Sequence, residues 1–155
     1  MTSYVSYIRD MVGQKPIILT GTAVILQNGT GQILLHKRSD NGMWGFPGGM
    51  LEMGESLEET ARREVLEEVG IVIDEPRLIG VVSGADCLYH YPNGDPVWCV
   101  TAAYAADIGD QSPKILDETT DVTFVELAHF DQPLSPPSAA VVRQLGLGLL
   151  KTATS

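Results

Sequence analysis

The sequence predicts an α/β domain in which helices cover both faces of a mixed β-sheet. Strand-like runs of apolar and β-branched residues alternate along the chain with helix-like segments. A hydrophobic content of 44% gives a chain of 155 residues enough apolar side chains for one ordinary core. No repeat, low-complexity tract or linker divides the chain. We therefore expect a single domain over residues 1–155.

The N-terminal half is predicted to hold a helix and a hairpin. Residues 3–12 have an amphipathic pattern that ends before Gly13 and Pro16. The Asn-Gly-Thr-Gly sequence at residues 28–31 indicates a hairpin that joins strands 17–27 and 32–36.

The remaining elements are predicted around turn signals in the C-terminal half. Strands are expected at residues 77–83, 97–106 and 122–126, with a turn at residues 92–95. After two prolines, Ser138 is expected to cap a last helix, whose apolar residues are Val141, Val142, Leu145 and Leu149.

A further helix is predicted to begin at Leu57 and to end at Gly70. Ser56 and Glu59 have the spacing of a capping box, in which each side chain satisfies a backbone amide at the start of a helix. Gly70 can adopt the left-handed conformation that ends a helix, and we assign it this structural role.

Three carboxylates lie on one side of this helix. Glu64, Glu67 and Glu68 are spaced i, i+3 and i+4, which places them within an arc of about 100°. Glu68 falls about 20° from Leu57 and Ala61, the apolar residues expected to face the core. Like charges at this spacing repel, and desolvation adds to the cost. A Mg²⁺ ion, which prefers oxygen ligands, would offset that cost. A solvated acidic helix face is the alternative.

A glycine loop precedes the acidic helix. Its sequence, Trp-Gly-Phe-Pro-Gly-Gly at residues 44–49, lets the backbone approach a ligand closely after a rigid proline. The carbonyl oxygen of Gly48 could then join the carboxylates as a metal ligand.

The spacing of residues 49–71 resembles the signature of the Nudix hydrolases. Gly49 is followed after five residues by Glu55, and after seven more by the run Arg-Glu-Val-Leu-Glu-Glu-Val-Gly-Ile at residues 63–71. The resemblance implies the Nudix fold, an α/β/α sandwich, over about residues 17–150. It also implies that Gly48 is a metal ligand, that Arg63 orients the glutamates, and that Glu55 and Gly49 support the site.

The resemblance further implies a Mg²⁺-dependent hydrolase, with Mn²⁺ as a possible substitute. Such enzymes cleave a pyrophosphate bond in a nucleoside diphosphate linked to another moiety, as in nucleoside triphosphates, dinucleoside polyphosphates, ADP-ribose and nucleotide sugars. The number of metal ions, one to three, stays open. The alternative is a Nudix domain that senses a nucleotide without turnover.

Four residues outside the motif are further candidates. Glu118, with Asp117 second, lies where related enzymes often carry a catalytic base, although solvated loop carboxylates are an equal alternative. A carboxylate of the acidic helix, Glu64 or Glu67, is the other candidate base. Arg38 could contact substrate phosphates or pair with Asp40. Tyr89 lies where dinucleoside polyphosphate hydrolases place a base-stacking tyrosine, and a packing role is the alternative.

Composition narrows the possible partners. A formal charge of −10 argues against a general DNA- or RNA-binding surface, whereas a cation can mediate binding of a small nucleotide.

The sequence shows no apolar run long enough to span a membrane and no signal-peptide pattern, so we expect a cytoplasmic protein. Two cysteines are expected to be buried free thiols, with a bridge between them as the alternative. Residues 1–16 are candidates for a homodimer interface or a lid.

Overall fold

A seven-stranded mixed sheet forms the middle layer of the molecule. The computed structural model describes residues 3–148. The strands are β1 (Ile17–Asn28), β2 (Ile33–Arg38), β3 (Trp44–Gly45), β4 (Arg77–Val82), β5 (Leu88–His90), β6 (Pro96–Gly109) and β7 (Thr119–Val125). The helices are α1 (Tyr4–Val12), α2 (Leu57–Val69) and α3 (Pro136–Leu145).

The two longest strands lie side by side at the centre of the sheet. β1 and β6 run parallel in continuous register from Ile17 opposite Val97 to Gln27 opposite Asp107. The main order is β3-β2-β1-β6-β4, and β5 and β7 pair with β6 and β2. All pairings except that of β1 with β6 are antiparallel. The expected mixed sheet is therefore confirmed.

Alternate residues of the central strands face two separate helices. Val24 and Leu26 of β1 pack in one buried cluster with Ala61 and Val65 of α2. Ala23 and Ile25 pack in a second cluster on the opposite face, which includes Ala140 and Val141 of α3. This period of two is what a strand buried on both faces requires. The predicted α/β/α sandwich is confirmed.

The predicted hairpin is correct at its turn but not along its strands. The Asn28 amide donates to the Gln32 carbonyl at 3.0 Å, and Gln27 is opposite Ile33, which is the whole register of β1 with β2. Beyond that pair the glycine loop occupies the edge of β1. Its carbonyls at Pro47 and Gly49 accept from β1 amides at 2.8 and 2.9 Å. The loop is thus fixed to the central strand.

The ends of α2 agree with their prediction. Both hydrogen bonds of the Ser56–Glu59 capping box are present, and Gly70 is left-handed with φ 68°. The cap predicted for α3 is wrong, because Ser135 is the N-cap and the two prolines occupy the first helical positions, where a missing amide hydrogen costs nothing. The Ser138 hydroxyl instead accepts a hydrogen bond from the Phe46 amide at 3.0 Å. The predicted core residue Leu149 lies outside the described residues.

Two short strands were not predicted. β3 and β5 have two and three residues, too few for a period of two to be visible in the sequence. Cys87 and Cys99 are buried free thiols, as expected. In the part of the chain that the structure describes, no helix is long and apolar enough to cross a membrane.

Candidate functional site

Nine of the predicted site residues line one cavity of about 350 Å³. The cavity lies between the glycine loop, α2, the end of β2, β5 and the loop before β7. Its predicted residues are Arg38, Gly48, Gly49, Glu64, Glu67, Glu68, Tyr89, Asp117 and Glu118. Glu55 and Arg63 do not line the cavity, but they are bonded to each other and Arg63 is bonded to Glu64. Gly70 is the C-cap of α2 and does not line the cavity either.

In the glycine loop, neither the amide nor the carbonyl group of Gly48 is bonded to β1. The Gly48 amide donates to Glu68 Oε1 at 3.0 Å. The carbonyls on either side, of Pro47 and Gly49, are bonded to β1, whereas that of Gly48 has no hydrogen-bond partner within residues 3–148. A carbonyl oxygen left in this state, in a cavity that Glu64, Glu67 and Glu68 also line, suits a cation.

Both glycines of the loop are required by close packing. A Cβ atom at Gly48 would collide with the Thr22 carbonyl oxygen of β1. A Cβ atom at Gly49 would lie 2.5 Å from Glu64 Oε1, so a side chain there would displace the carboxylate. The loop can lie against β1 only because Gly48 carries no side chain, whereas a side chain at Gly49 would change the position of the Glu64 carboxylate.

Glu68 is the buried member of the acidic group, with 5% of its surface exposed. Its Oε2 lies 3.5 Å from His36 Nε2 and 3.6 Å from a terminal nitrogen of Arg38. Burial raises the pKa of this carboxyl to about 8, against the opposing effect of the Gly48 amide. Burial therefore favours the protonated form of Glu68, and a bound cation would favour its ionised form.

His36 is a neighbour of the site that the sequence did not single out. It is 1% exposed, and its Nδ1 lies 2.9 Å from the Thr119 hydroxyl. Burial, together with the positive charge of Arg38, lowers the pKa of His36 to about 4, so the ring is neutral at pH 7. The available signal was the alternation of side chains along β2. His36 comes two residues after Leu34 and therefore faces the same side of the sheet, and Leu34 packs toward α2.

Arg63 joins the acidic helix to the segment that precedes it. Its guanidinium donates to Glu55 at 2.6 and 2.9 Å, to Glu64 Oε1 at 2.7 Å and to the Met50 carbonyl at 3.2 Å. Glu67 Oε2 lies 3.5 Å away. The hydrogen bonds from Arg63 are the main reason that the pKa of Glu55 falls to about 2, whereas burial raises the pKa of Glu64 despite the same arginine.

Arg38 connects the loop carboxylates to the buried one. It donates to both oxygens of Asp40 at 2.9 Å and to Glu118 at 3.1 Å, in addition to its contact with Glu68. Arg38 thus pairs with Asp40 and also lines the cavity, so the two alternatives given for it occur together. The Glu118 side chain is 62% exposed. Asp117 adopts a left-handed backbone conformation with φ 51°.

Two tyrosines form an aromatic wall of the cavity. Tyr89 and Tyr91 contact each other edge to face, with ring centroids 5.3 Å apart. The Tyr89 hydroxyl accepts from the Asn41 side chain at 3.2 Å. Tyr91 and Asn41, which also line the cavity, were not predicted. Tyr91 follows Tyr89 by two residues, the spacing of one strand face, and this was the available signal.

The donor set fits a hard cation, although the carboxylates do not converge as they are placed. Within residues 3–148, no three His, Cys, Asp or Glu side chains lie close enough together to hold a metal ion. Arg63 holds Glu64, and Arg38 together with the Gly48 amide holds Glu68. All the available donors are nevertheless oxygens, as Mg²⁺ and Mn²⁺ prefer. Metal binding would require the carboxylates to turn from the arginines toward the Gly48 carbonyl.

Comparison with known proteins identifies the family. A family model described as the NUDIX domain matches residues 19–145. The chain therefore belongs to the Nudix family. The crystal structure of a MutT NUDIX hydrolase from Burkholderia pseudomallei is 27% identical, with a TM-score of 0.67, and the match covers 84% of this chain and 98% of that one.

Curated relatives resemble only part of the chain. A Bacillus subtilis (strain 168) protein with the provisional name 8-oxo-dGTP diphosphatase is 54% identical over 50 residues, which are 32% of this chain and 34% of the relative. An ADP-ribose pyrophosphatase of Methanocaldococcus jannaschii is 32% identical over 99 residues, 62% of this chain and 55% of the relative. This chain thus spans about a third to a half of the length of these relatives.

Proposed function

We propose that the protein is a Mg²⁺-dependent hydrolase, with Mn²⁺ as a substitute, that cleaves a pyrophosphate bond in a nucleoside diphosphate linked to another moiety. The observation that carries the proposal is the composition of one cavity. Three glutamates and the Gly48 carbonyl oxygen line it together with Arg38 and the aromatic wall. The oxygen donors suit a metal ion that binds the phosphates, Arg38 suits the anionic phosphate oxygens, and the aromatic wall suits the base.

In this proposal Glu64, Glu67, Glu68 and the Gly48 carbonyl hold the metal. A bound divalent cation neutralises anhydride oxygens and lowers the pKa of an attacking water. Arg63 keeps Glu64 in place through its 2.7 Å hydrogen bond. Arg38, whose present partners are carboxylates, would exchange them for substrate phosphate oxygens.

The reaction needs one base on this chain. Water oxygen attacks a phosphorus atom, its proton passes to a carboxylate, and the bond between that phosphorus and the bridging oxygen breaks. We propose Glu118 as this carboxylate, because it lies in the cavity and would be released for proton transfer when Arg38 exchanges it for substrate phosphates. Glu64 or Glu67 would serve instead if the loop stays away from the substrate.

The substrate is proposed only as a class. The two curated relatives are named for 8-oxo-dGTP and ADP-ribose, which share a nucleoside diphosphate and differ in what is attached to it. The aromatic wall supports an aromatic base but does not choose among bases.

The test is a substrate screen with and without metal. Nucleoside triphosphates including 8-oxo-dGTP, dinucleoside polyphosphates, ADP-ribose and nucleotide sugars are incubated with Mg²⁺, with Mn²⁺ and with EDTA, and phosphate-containing products are quantified. Glu64→Gln and Glu67→Gln should each lower the rate by more than ~100-fold, since about 3 kcal/mol of transition-state stabilisation is lost.

A matched variant controls for charge. Glu75→Gln changes an exposed glutamate that does not line the cavity, and it should keep the wild-type rate. Retention of half the wild-type rate by either Glu64→Gln or Glu67→Gln at saturating Mg²⁺ contradicts the ligand assignment. Nucleotide binding without turnover by the wild-type protein would favour the sensing domain.

A further inference from the structure

The helix α1 lies before the residues that match the family model, yet it packs on a cluster that it shares with the aromatic wall of the cavity. Tyr4, Val5 and Ile8 belong to a cluster around buried Leu19, Val97 and Cys99. The same cluster includes Met50, Tyr89 and Tyr91. These three residues and Cys99 also line the cavity of the acidic helix. The apolar side of α1 and the aromatic wall therefore pack on the same buried residues, Leu19, Val97 and Cys99.

Arg9 of α1 is bonded to the turn that follows the two tyrosines and leads into β6. Its guanidinium donates to the Pro96 carbonyl at 2.7 Å and lies 3.6 Å from the Asp95 carboxylate. The Tyr91 amide in turn donates to the Asp95 carbonyl at 3.0 Å. The side chain also bonds carbonyls just after the helix, at Gly13 and Lys15. The helix, its end and the turn between β5 and β6 are thus held by one guanidinium.

The N-terminus of α1 is also tied to the motif segment. The Tyr4 amide donates to Glu52 Oε2 at 2.9 Å, and the Glu52 amide donates to Glu55 Oε1 at 3.0 Å. Glu55 is the main partner of Arg63. A displacement of α1 would therefore reach the aromatic wall through the shared cluster and through Arg9. It would reach Glu64 through Glu52, Glu55 and Arg63, or through Met50 and Arg63.

We propose that α1 is a specificity element that positions Tyr89 and Tyr91 to bind the base of the substrate. Ile8 and Arg9 are the positioning residues. Ile8 packs on the cluster that includes both tyrosines, and Arg9 bonds the turn that follows them. The proposal rests on the nucleotide substrate proposed above. It adds that the preference for a base depends on a helix outside the matched residues 19–145.

The test measures binding rather than turnover. Isothermal titration calorimetry with Mg²⁺ present compares AMP, GMP, CMP and UMP with ribose 5-phosphate, which lacks the base. The wild-type protein should bind at least one nucleotide about tenfold more tightly than ribose 5-phosphate, as expected for one base stacked on an aromatic side chain. Ile8→Ala and Arg9→Ala should each remove most of that preference while leaving the affinity for ribose 5-phosphate within about twofold.

The matched control is Met11→Ala on the exposed side of the same helix. Met11 is 67% exposed, so this variant should keep the wild-type preference. Circular dichroism and melting curves identify variants that do not fold, and Ile8→Ala and Arg9→Ala act through different contacts, so either alone can decide. An unchanged preference in a folded variant overturns the proposal, as does an equal loss of affinity for both ligands.

The binding assay also separates this proposal from the hydrolase itself. A wild-type protein that prefers a nucleotide but cleaves no substrate retains the specificity element and loses the proposed reaction. A wild-type protein that cleaves polyphosphates but binds ribose 5-phosphate as tightly as every nucleotide retains the reaction and overturns the role of α1.

Discussion

Replacing Glu68 by glutamine should stabilise the metal-free protein while weakening its response to Mg²⁺. Glu68 is 5% exposed, and burial raises its pKa from the ordinary value of 4.5 to about 8. A glutamine retains an oxygen that can accept from the Gly48 amide, but it has no proton to lose on unfolding. The variant therefore removes the ionisation and preserves the main hydrogen bond.

The magnitude and its sign follow from the two pKa values. Between pH 4.5 and pH 8 the unfolded chain binds fewer protons at this position than the folded one, so folded stability falls as pH rises. One pKa unit corresponds to about 1.4 kcal/mol. The variant should thus be more stable than wild type by about 1 kcal/mol at pH 5, about 3 kcal/mol at pH 7 and up to about 5 kcal/mol at pH 9.

The assay is thermal and denaturant unfolding in EDTA across this pH range, repeated with saturating Mg²⁺. At pH 7 the metal-free variant should melt about 6–12 °C above wild type. Mg²⁺ should raise the melting temperature of wild type, since it binds only the folded form, and should raise that of Glu68→Gln much less. Glu75→Gln, at an exposed position, should follow wild type throughout.

Two results would refute this reasoning. A stability difference that does not grow between pH 5 and pH 9 would show that Glu68 ionises in the folded protein as it does in the unfolded chain. An equal rise in melting temperature with Mg²⁺ in both proteins would show that Glu68 does not take part in metal binding.

Two further predictions concern the base and the glycine loop. Glu118→Gln should lower kcat far more than it alters KM in steady-state assays, because the proton transfer belongs to the transition state. Asp117→Asn should be nearly silent, since asparagine also tolerates the left-handed conformation found there, and a Glu118→Gln rate within threefold of wild type across the pH range excludes Glu118. Gly49→Ala should lower kcat/KM by more than ~10-fold with a melting temperature close to wild type, because the new Cβ displaces only the mobile end of Glu64. Wild-type activity in that variant would mean that the Glu64 position is unimportant.

The acidic helix was predictable because its determinants are local. The capping box, the left-handed glycine and the i, i+3, i+4 spacing each act within a few residues, and the structure has them as predicted. The inward position of Glu68 also follows from helix geometry alone. The layer architecture followed from the alternation of strands and helices.

The features that were missed depend on distant parts of the chain. His36 lies next to Glu68, although the two residues are 32 positions apart in the sequence. The Ser138 hydroxyl accepts a hydrogen bond from the Phe46 amide, 92 positions away, and so does not cap α3. Both contacts are made by tertiary packing. The β1 edge is filled by the glycine loop instead of β2 for the same reason. The cluster that α1 shares with Tyr89 and Tyr91 likewise has no local sequence pattern.

The most direct test of the metal site is anomalous diffraction from crystals soaked in Mn²⁺ with a non-hydrolysable nucleotide. The account predicts an anomalous peak within coordination distance, about 2.1 Å for a comparable divalent ion, of carboxylate oxygens from Glu64, Glu67 or Glu68 and of the Gly48 carbonyl. The carboxylates should have turned from Arg63 and Arg38 toward that peak. A peak remote from these oxygens, or none at saturating Mn²⁺, would contradict the account.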